Sequence, residues 1–417
     1  YKMDLAPALG ITPGDIRVMQ PPVGGAFGSK LDVYPYEPIA ALLARKTGRP
    51  VKVIYSREDE FRASPTRQAA IIHMRTGCKR DGTLTFRTAD VLLDNGAYTS
   101  WGPTIPVIMM RTTSGHYRVP VVDFKAQAIY TNNPYAGSFR GYGNVQTTYA
   151  TAQQMDILAD KLDMDPLAFH LKNAQKSGEI TPQKSFLREC VLAECLETAA
   201  QATDYSRKRA AYAAERDKPG RYKKGIGLAS SIHNAGGAKI HKSDGIGTIL
   251  KVDDYARVTV ITGASEIGQG IDAVINLIVS EELGVPLEHV TIVNNDSDIA
   301  PWDVGVHASR TTFIAGNGTR QAARKAKAQI LKAAEKMLGE PADTLELRGG
   351  SVVRDRCGAP LIKLDRLLRQ MHFQADIVRP VIFALQIGQR RGILLRAGAA
   401  ERLQRIEGDD PGGNSGG

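Results

Sequence analysis

Apolar residues recur at helical spacing in EPIAALLARKT at 37–47 and run into Gly48 and Pro50, so a helix is predicted to stop there. The next stretch, VKVIYS at 51–56, is rich in β-branched residues and predicts a strand. Two strand-like runs across 69–92 flank Asp81-Gly82, a strong turn dipeptide, and read as a hairpin. Residues 147–175 carry a helical pattern broken near Asp165-Pro166, where Asp165 can cap a second helix that has Pro166 at its first position. Residues 203–224 are charged, contain Pro219-Gly220, and read as a linker or an exposed helix ending in a turn. A second pattern starts near Gly225: a hairpin over 248–262, an amphipathic helix over Ile271–Leu283, a strand entering a loop at 290–296, and a long helix over Gly318–Leu338. Helices and hairpins are intermixed, which predicts an α+β fold. The expected division is a first domain over 1–202, a linker over 203–224, a second domain over 225–370, and an atypical, poorly ordered tail over 371–417.

The tail stands out by composition. No lysine follows Lys363, six arginines fall between Arg379 and Arg405, and the chain closes on GDDPGGNSGG. Within it, VIFALQIG at 381–388 has the apolar content for a local helix or strand. The rest is ordinary globular material: 417 residues, 42% hydrophobic and 24% charged. The net charge of +10 is spread along the chain and suits anionic ligands or an acidic partner, while the absence of a nucleic-acid signature argues against nucleic acid. No apolar run approaches the ~20 residues of a membrane span. Cys78, Cys190, Cys195 and Cys357 form no CxxC pair, so this chain is not expected to hold a zinc ribbon or an iron–sulfur cluster by itself. They are read instead as small buried hydrophobes, and their scatter suits a reducing compartment, here the cytoplasm.

Three segments combine glycine density with single placed polar groups: PPVGGAFGSK at 21–30, PYAGSFRGYGNVQ at 134–146, and EIGQG at 266–270 followed by GVHASRTTFIAGNG at 305–318. Glycines let a backbone approach a ligand closely, a guanidinium suits oxygen-rich anions, and a glutamine offers both donor and acceptor. GGAFGSK lacks the spacing of a phosphate-binding Walker loop, and no GxGxxG follows a strand. From the residues alone, the chain is a large α+β protein with several close-approach loops around an anionic cofactor.

These segments resemble, in order and separation, those of the molybdenum hydroxylases of the xanthine dehydrogenase and aldehyde oxidase type. GGAFGSK resembles their GGxFGGK loop, SFRGYG followed by NVQ their AFRGFGGPQ loop, SEIGQG their GQG loop, and HASRTT with AGNG the later cofactor segment. The resemblance covers roughly residues 1–370 and implies a molybdopterin-binding large subunit, incomplete at both ends. It implies a molybdenum–molybdopterin cofactor, as the pterin alone or in its cytosine dinucleotide form. It further implies hydroxylation at carbon with water, a carboxylate as base, and electrons leaving through iron–sulfur and FAD-bearing flavin subunits in a hetero-oligomer. Carried over to this chain, Gly25, Phe27 and Gly28 would lie at the cofactor, with Phe27, Arg140 and Ala308 near the metal. Phe139, Gly141 and Tyr142 would shape the pocket beside Arg140. Gln269 would hydrogen-bond the pterin, and Ala308, Ser309, Arg310 and Thr311 would offer it backbone N–H groups. The four loops are expected to converge.

The chain departs from that pattern in ways that bear on function. The family's C-terminal catalytic glutamate has no counterpart, because Glu401 and Glu407 stand in unlike surroundings, and an upstream glutamine loop would precede Tyr1. A fragment, with a tail read out of frame, accounts for both. Leu31 stands where xanthine-specific enzymes carry an acidic residue, and Gly137 where carbon monoxide dehydrogenases carry cysteine. TNNPYAGSFRGYGN is similar to the large subunits of 4-hydroxybenzoyl-CoA reductases. An aromatic, N-heterocyclic, aldehyde or aryl-CoA substrate is therefore expected. The competing readings are a non-catalytic assembly or scaffold remnant, and a glycine-rich nucleotide-binding protein that lacks its phosphate motif.

Overall fold

The computed structural model describes residues 1–233, 236, 244–354, 358–373 and 384–389. It divides into two compact units, residues 1–15 with 26–234 and residues 16–25 with 235–417. The GGAFGSK segment thus contributes Gly24 and Gly25 to one unit and Ala26 onward to the other.

The first unit is built on a three-stranded sheet. Its elements are helices α1 (Lys2–Leu9), α2 (Tyr36–Thr47) and α3 (Arg57–Ala63), strands β1 (Ala70–Cys78) and β2 (Leu84–Gly96), helix α4 (Ile105–Thr112), strand β3 (Val121–Tyr130), and helices α5 (Asn144–Lys161), α6 (Pro166–Asn173), α7 (Leu192–Ala202) and α8 (Tyr205–Ala214). The β1–β2 hairpin turns at Asp81-Gly82 as its sequence requires. Gly82 takes φ +84°, its N–H donates to the Lys79 carbonyl at 2.9 Å, and Asp81 accepts from the Thr83 N–H. β2 pairs antiparallel with β1 and parallel with β3, the latter pairing reached through α4. The odd positions Ala89, Val91 and Leu93 of β2 are buried with Ile105 and Met109 of α4. A neighbouring cluster joins Leu84, Tyr117 and Val119 to Met155 and Ala159 of α5 and Phe169 of α6. Asp165 caps α6 by accepting from the Ala168 N–H at 3.1 Å, with Pro166 at the first helical position.

One expectation fails here. Residues 51–55 form no strand, because no partner strand lies alongside among the described residues, and Ile54 is exposed. Ser56 instead caps α3 in a reciprocal capping box with Asp59. Residues 203–224, read as a linker or an exposed helix ending in a turn, hold the largely exposed helix α8, which packs on α7 through the buried Tyr205. Cys78 and Cys190 are half-buried and Cys195 is exposed, all three free, while Cys357 lies outside the described residues.

The second unit holds a four-stranded sheet in the order β10-β4-β5-β6 and a small meander β7-β8-β9. Its elements are β4 (Gly245–Val252), β5 (Val258–Thr262), α9 (Ile271–Leu283), β6 (Val290–Val293), α10 (Thr311–Leu338), β7 (Leu345–Arg348), β8 (Ser351–Arg354), β9 (Pro360–Lys363), α11 (Leu364–Phe373) and β10 (Ala384–Gln389). α9 is the crossover between the parallel strands β5 and β6. It buries Ile271, Ile275, Val279 and Leu283, one per turn, each contributing about 1.5–3 kcal/mol of apolar burial. α10 begins at Thr311, ahead of the predicted start, and so takes in the AGNG stretch. Gly316 and Gly318 are buried helical residues, not loop residues, and a Cβ on Gly316 would stand 3.1 Å from Ile278 of α9. Gly316 allows α10 to pack closely on α9.

Residues 384–389, assigned from sequence to the tail, form β10 at the sheet edge, antiparallel to β4, and α10 packs against both. The remainder of the tail beyond α11 lies outside the described residues, and with it the expectation of poor order there. Among the described residues no helix is long and apolar enough to cross a membrane.

Candidate functional site

In the first unit two motif loops meet. Gly28 takes φ +101°, and a Cβ there would fall 2.8 Å from the Ser138 carbonyl oxygen, so the 26–29 loop can lie on the SFRGYG backbone only with glycine at this position. Phe27 is held at φ 53°, a left-handed conformation costly for a bulky residue, and its ring is 62% exposed. The Arg140 guanidinium covers that ring at 5.1 Å. Arg140 makes no ion pair among the described residues. Gly141 and Gly143 take φ 94° and 90° on either side of Tyr142, itself at φ 47°, whose hydroxyl hydrogen-bonds Thr104. Phe27, Gly28, Phe139, Arg140, Gly141 and Tyr142 are therefore together, as sequence reasoning proposed.

One member was missed. Arg67, from the segment before β1, stacks its guanidinium on the Phe139 ring at 5.1 Å. It donates to the Arg140 carbonyl and, at 3.3 Å, to the Gln146 side-chain oxygen. Burial depresses its pKa below the usual guanidinium value.

In the second unit Gly25 and Gln269 belong to adjoining segments, since the Gly25 N–H donates to the Ile267 carbonyl at 2.7 Å. The GQG turn is held by Glu266. Its carboxylate accepts N–H groups from Gly268 at 2.7 Å, Gly270 at 3.1 Å and Asp272 at 3.2 Å, capping α9 with an internal anion. Desolvation pushes this carboxyl up, but the N–H groups of Gly270, Asp272 and Gly268 outweigh it and hold its pKa low. The amides of this turn therefore face the protein's own carboxylate. Gln269 is exposed, and its amide is partly engaged locally: it accepts from the Ile267 N–H at 2.7 Å and donates to the Ser265 carbonyl at 2.9 Å.

The HASRTT turn has a different anchor. Ala308 and Ser309 are consecutive non-glycine residues at φ 49° and 52°, and Thr311 opens α10. Arg310, only 2% exposed, directs its side chain inward and not toward a ligand. It bonds Asp244, Asp303 at 3.1 and 3.2 Å, the Gly305 carbonyl at 2.9 Å and the Gly245 carbonyl at 3.1 Å. Burial raises Asp303 to about 6, although Arg310 pulls the other way. Glu266, ahead of α9, and Glu282, within it, are also committed, Glu266 to backbone amides and Glu282 to Arg320 and Arg324.

A strained exposed ring, glycine-permitted close approach and a guanidinium without a carboxylate among the described residues suit a flat, oxygen-rich anionic group. Models of the molybdopterin cofactor-binding domain match residues 1–174 and 198–386, and the chain belongs to this family. It is 35% identical, over 88% of its length and 49% of the relative's, to a putative xanthine dehydrogenase molybdenum-binding subunit of Escherichia coli K12. It is 32% identical to a probable xanthine dehydrogenase subunit of Bacillus subtilis 168, over 85% of this chain and 46% of that one. In fold it is similar to quinoline 2-oxidoreductase from Pseudomonas putida 86, with TM-score 0.83 and 22% identity over 94% of this chain and 51% of that one. The chain spans about half the length of the curated relatives it matches. The second family match runs through 386, beyond the boundary drawn at 370 from sequence.

Proposed function

We propose that this chain supplies the cofactor-holding portion of a molybdenum hydroxylase-type oxidoreductase. It would act on an aromatic, N-heterocyclic, aldehyde or aryl-CoA substrate and pass electrons to iron–sulfur and flavin subunits. The observation that carries this reading is the Phe27–Arg140 platform, a strained exposed ring under a guanidinium with no protein counter-charge among the described residues. When bound, the molybdenum–molybdopterin group, in its pterin or cytosine dinucleotide form, supplies the redox chemistry. The chain's own share is positioning. Gly25, Gly28 and Gly141 permit close backbone approach, and Phe27 and Phe139 exclude water from one side of the group. Arg140 neutralises an oxyanion. Gln269 retains one amide hydrogen and a carbonyl lone pair for the pterin. Ala308, Ser309 and Thr311 contribute backbone N–H groups; the Arg310 N–H instead donates to the His307 carbonyl at 3.2 Å, and its side chain is reserved for the interior.

A second reading, a remnant that holds cofactor without turnover, is favoured by the commitment of Glu266 and Glu282 to structural partners. General base catalysis supplies typically ~10²–10⁴-fold in rate, so a chain without its base would turn over far below a full-length relative. The test expresses the chain with candidate partner subunits in a molybdenum-competent host and measures molybdenum per chain and turnover. Metal above the level of a Gly28→Val control supports the cofactor-holding role. Metal at that control's level refutes it. Turnover near that of a full-length relative refutes the remnant.

A further inference from the structure

We infer that Arg67 and Arg140 together form an oxyanion subsite in the first unit, with Arg67 as its half-buried member. The inference rests on the cofactor-holding reading above and adds a second cation to it. Arg67 is half-buried and desolvated, yet it makes no ion pair among the described residues. A partly buried cation without a counter-charge is unfavourable. The face of Phe139 at 5.1 Å offsets part of that cost, but a ring quadrupole is not a counter-ion. Hydrogen bonds to the Arg140 carbonyl and to Gln146 orient the guanidinium without neutralising it. Gln146 is fixed in turn by donating to the Gln68 carbonyl at 3.3 Å. Backbone bonds set Arg67's own place: the Thr66 N–H donates to Tyr135, and the Gly137 N–H to Thr66.

The same loop carries the second uncompensated guanidinium, Arg140, stacked on Phe27. Two cations, each held over an aromatic ring at 5.1 Å and linked through the Arg140 carbonyl, retain N–H groups beyond those the described hydrogen bonds use. Such a pair selects an anion with at least two oxygens, either a phosphoryl group or an aromatic carboxylate. The phosphoryl source would be the cofactor and the carboxylate source the substrate.

The test is a thermal-shift titration of the purified chain with inorganic phosphate, benzoate and uncharged benzamide at constant ionic strength. Phosphate or benzoate should raise the melting temperature where benzamide does not. A response to phosphate alone assigns the subsite to the cofactor. A stronger response to benzoate assigns it to a carboxylated substrate. Arg67→Gln should weaken the responsive anion at least about tenfold, the loss expected for a charge-assisted hydrogen bond. Arg67→Lys should also weaken it, since an ammonium keeps the charge but loses the fork. Arg140→Gln, at an exposed side chain, provides a variant whose folding is not at issue and should weaken it as well. Equal indifference to all three probes, or an unchanged response in Arg67→Gln and Arg140→Gln, overturns the inference. Molybdenum uptake is measured separately. A chain that takes up molybdenum but ignores both anions defeats this subsite alone, and a chain that binds an anion but no molybdenum defeats the cofactor reading alone.

Discussion

Replacing Arg310 with methionine tests the anchor of the HASRTT turn. The side chain is 1% exposed, and the two carboxylates it joins, Asp244 and Asp303, are 1% and 4% exposed. Methionine fills similar volume but removes the guanidinium from both acids and from the Gly245 and Gly305 carbonyls, while Asp303 keeps the Gly305 N–H at 2.6 Å. Removing one partner of a buried ion pair typically costs ~3–5 kcal/mol, most of it from the charge left behind. The loss should depend on pH. Asp303 already titrates near 6 in the folded chain against an ordinary 3.8, so the fold binds its proton more tightly than the unfolded chain does. Asp303's contribution therefore favours folding most below 3.8 and is lost as pH rises through about 6. Without Arg310 that window moves upward, so the variant should be most impaired at pH 8 and partly recover toward pH 5. Urea melts of both proteins at the two pH values measure this, and Arg310→Met combined with Asp303→Asn should recover part of the loss at pH 8. A loss below about 1 kcal/mol at pH 8, or one equal at pH 5 and 8, would refute the claim that Arg310 compensates two buried carboxylates.

Glu266→Ala should cost about 1 kcal/mol by removing the acceptor of three amides in the GQG turn and the first turn of α9. Because the folded pKa of Glu266 is depressed, its contribution is present above the ordinary 4.5 and fades as pH falls through the folded value, so wild type and variant should converge in acid melts. Gly28→Ala, at φ +101° and 2.8 Å from a backbone oxygen, should lose about 1–3 kcal/mol and lower bound molybdenum, read by thermal unfolding and elemental analysis. A shift within about 0.5 kcal/mol would show that the 26–29 loop does not rest on Ser138.

Local signals made much of this fold legible. α9 is predicted with its observed bounds because its apolar residues recur once per turn and Gly284 stops it in a left-handed conformation. The β1–β2 hairpin and the Asp165–Pro166 helix start are legible for equally local reasons. Failures come where a distant partner decides. β-branched residues at 51–55 do not make a strand without a neighbour to pair with. AGNG reads as a loop because glycine disfavours helices, yet contact with α9 favours small residues there. The apolar run at 381–388 signals a local helix or strand, but the pairing of β10 with β4 at the sheet edge spans more than a hundred residues and leaves no local signal. Arg67 carries no motif at all. Its partners lie 73 and 79 residues away, so only the folded chain brings it to the SFRGYG loop.

The motif glycines and the residues that hold them have different physical roles. Gly28 and the left-handed Ala308–Ser309 pair give backbone shapes that a relaxed chain would seldom keep. What keeps two of the loops is an ionic side chain: Arg67 on the SFRGYG loop through the Arg140 carbonyl, and Glu266 on the GQG turn through three amides. At the HASRTT turn the same work falls to Arg310, through Asp244 and Asp303. Each uses charge, which acts strongly where water is partly excluded and fixes orientation better than apolar contact does. A loop shaped before its ligand arrives loses less conformational freedom on binding. Sequence motifs therefore mark where a ligand can approach, while the ionic residues beside them determine how rigidly that approach is held. On this argument the conservative variants Glu266→Gln and Arg67→Lys, which keep size and part of the hydrogen bonding, should weaken ligand retention more than they lower the melting temperature.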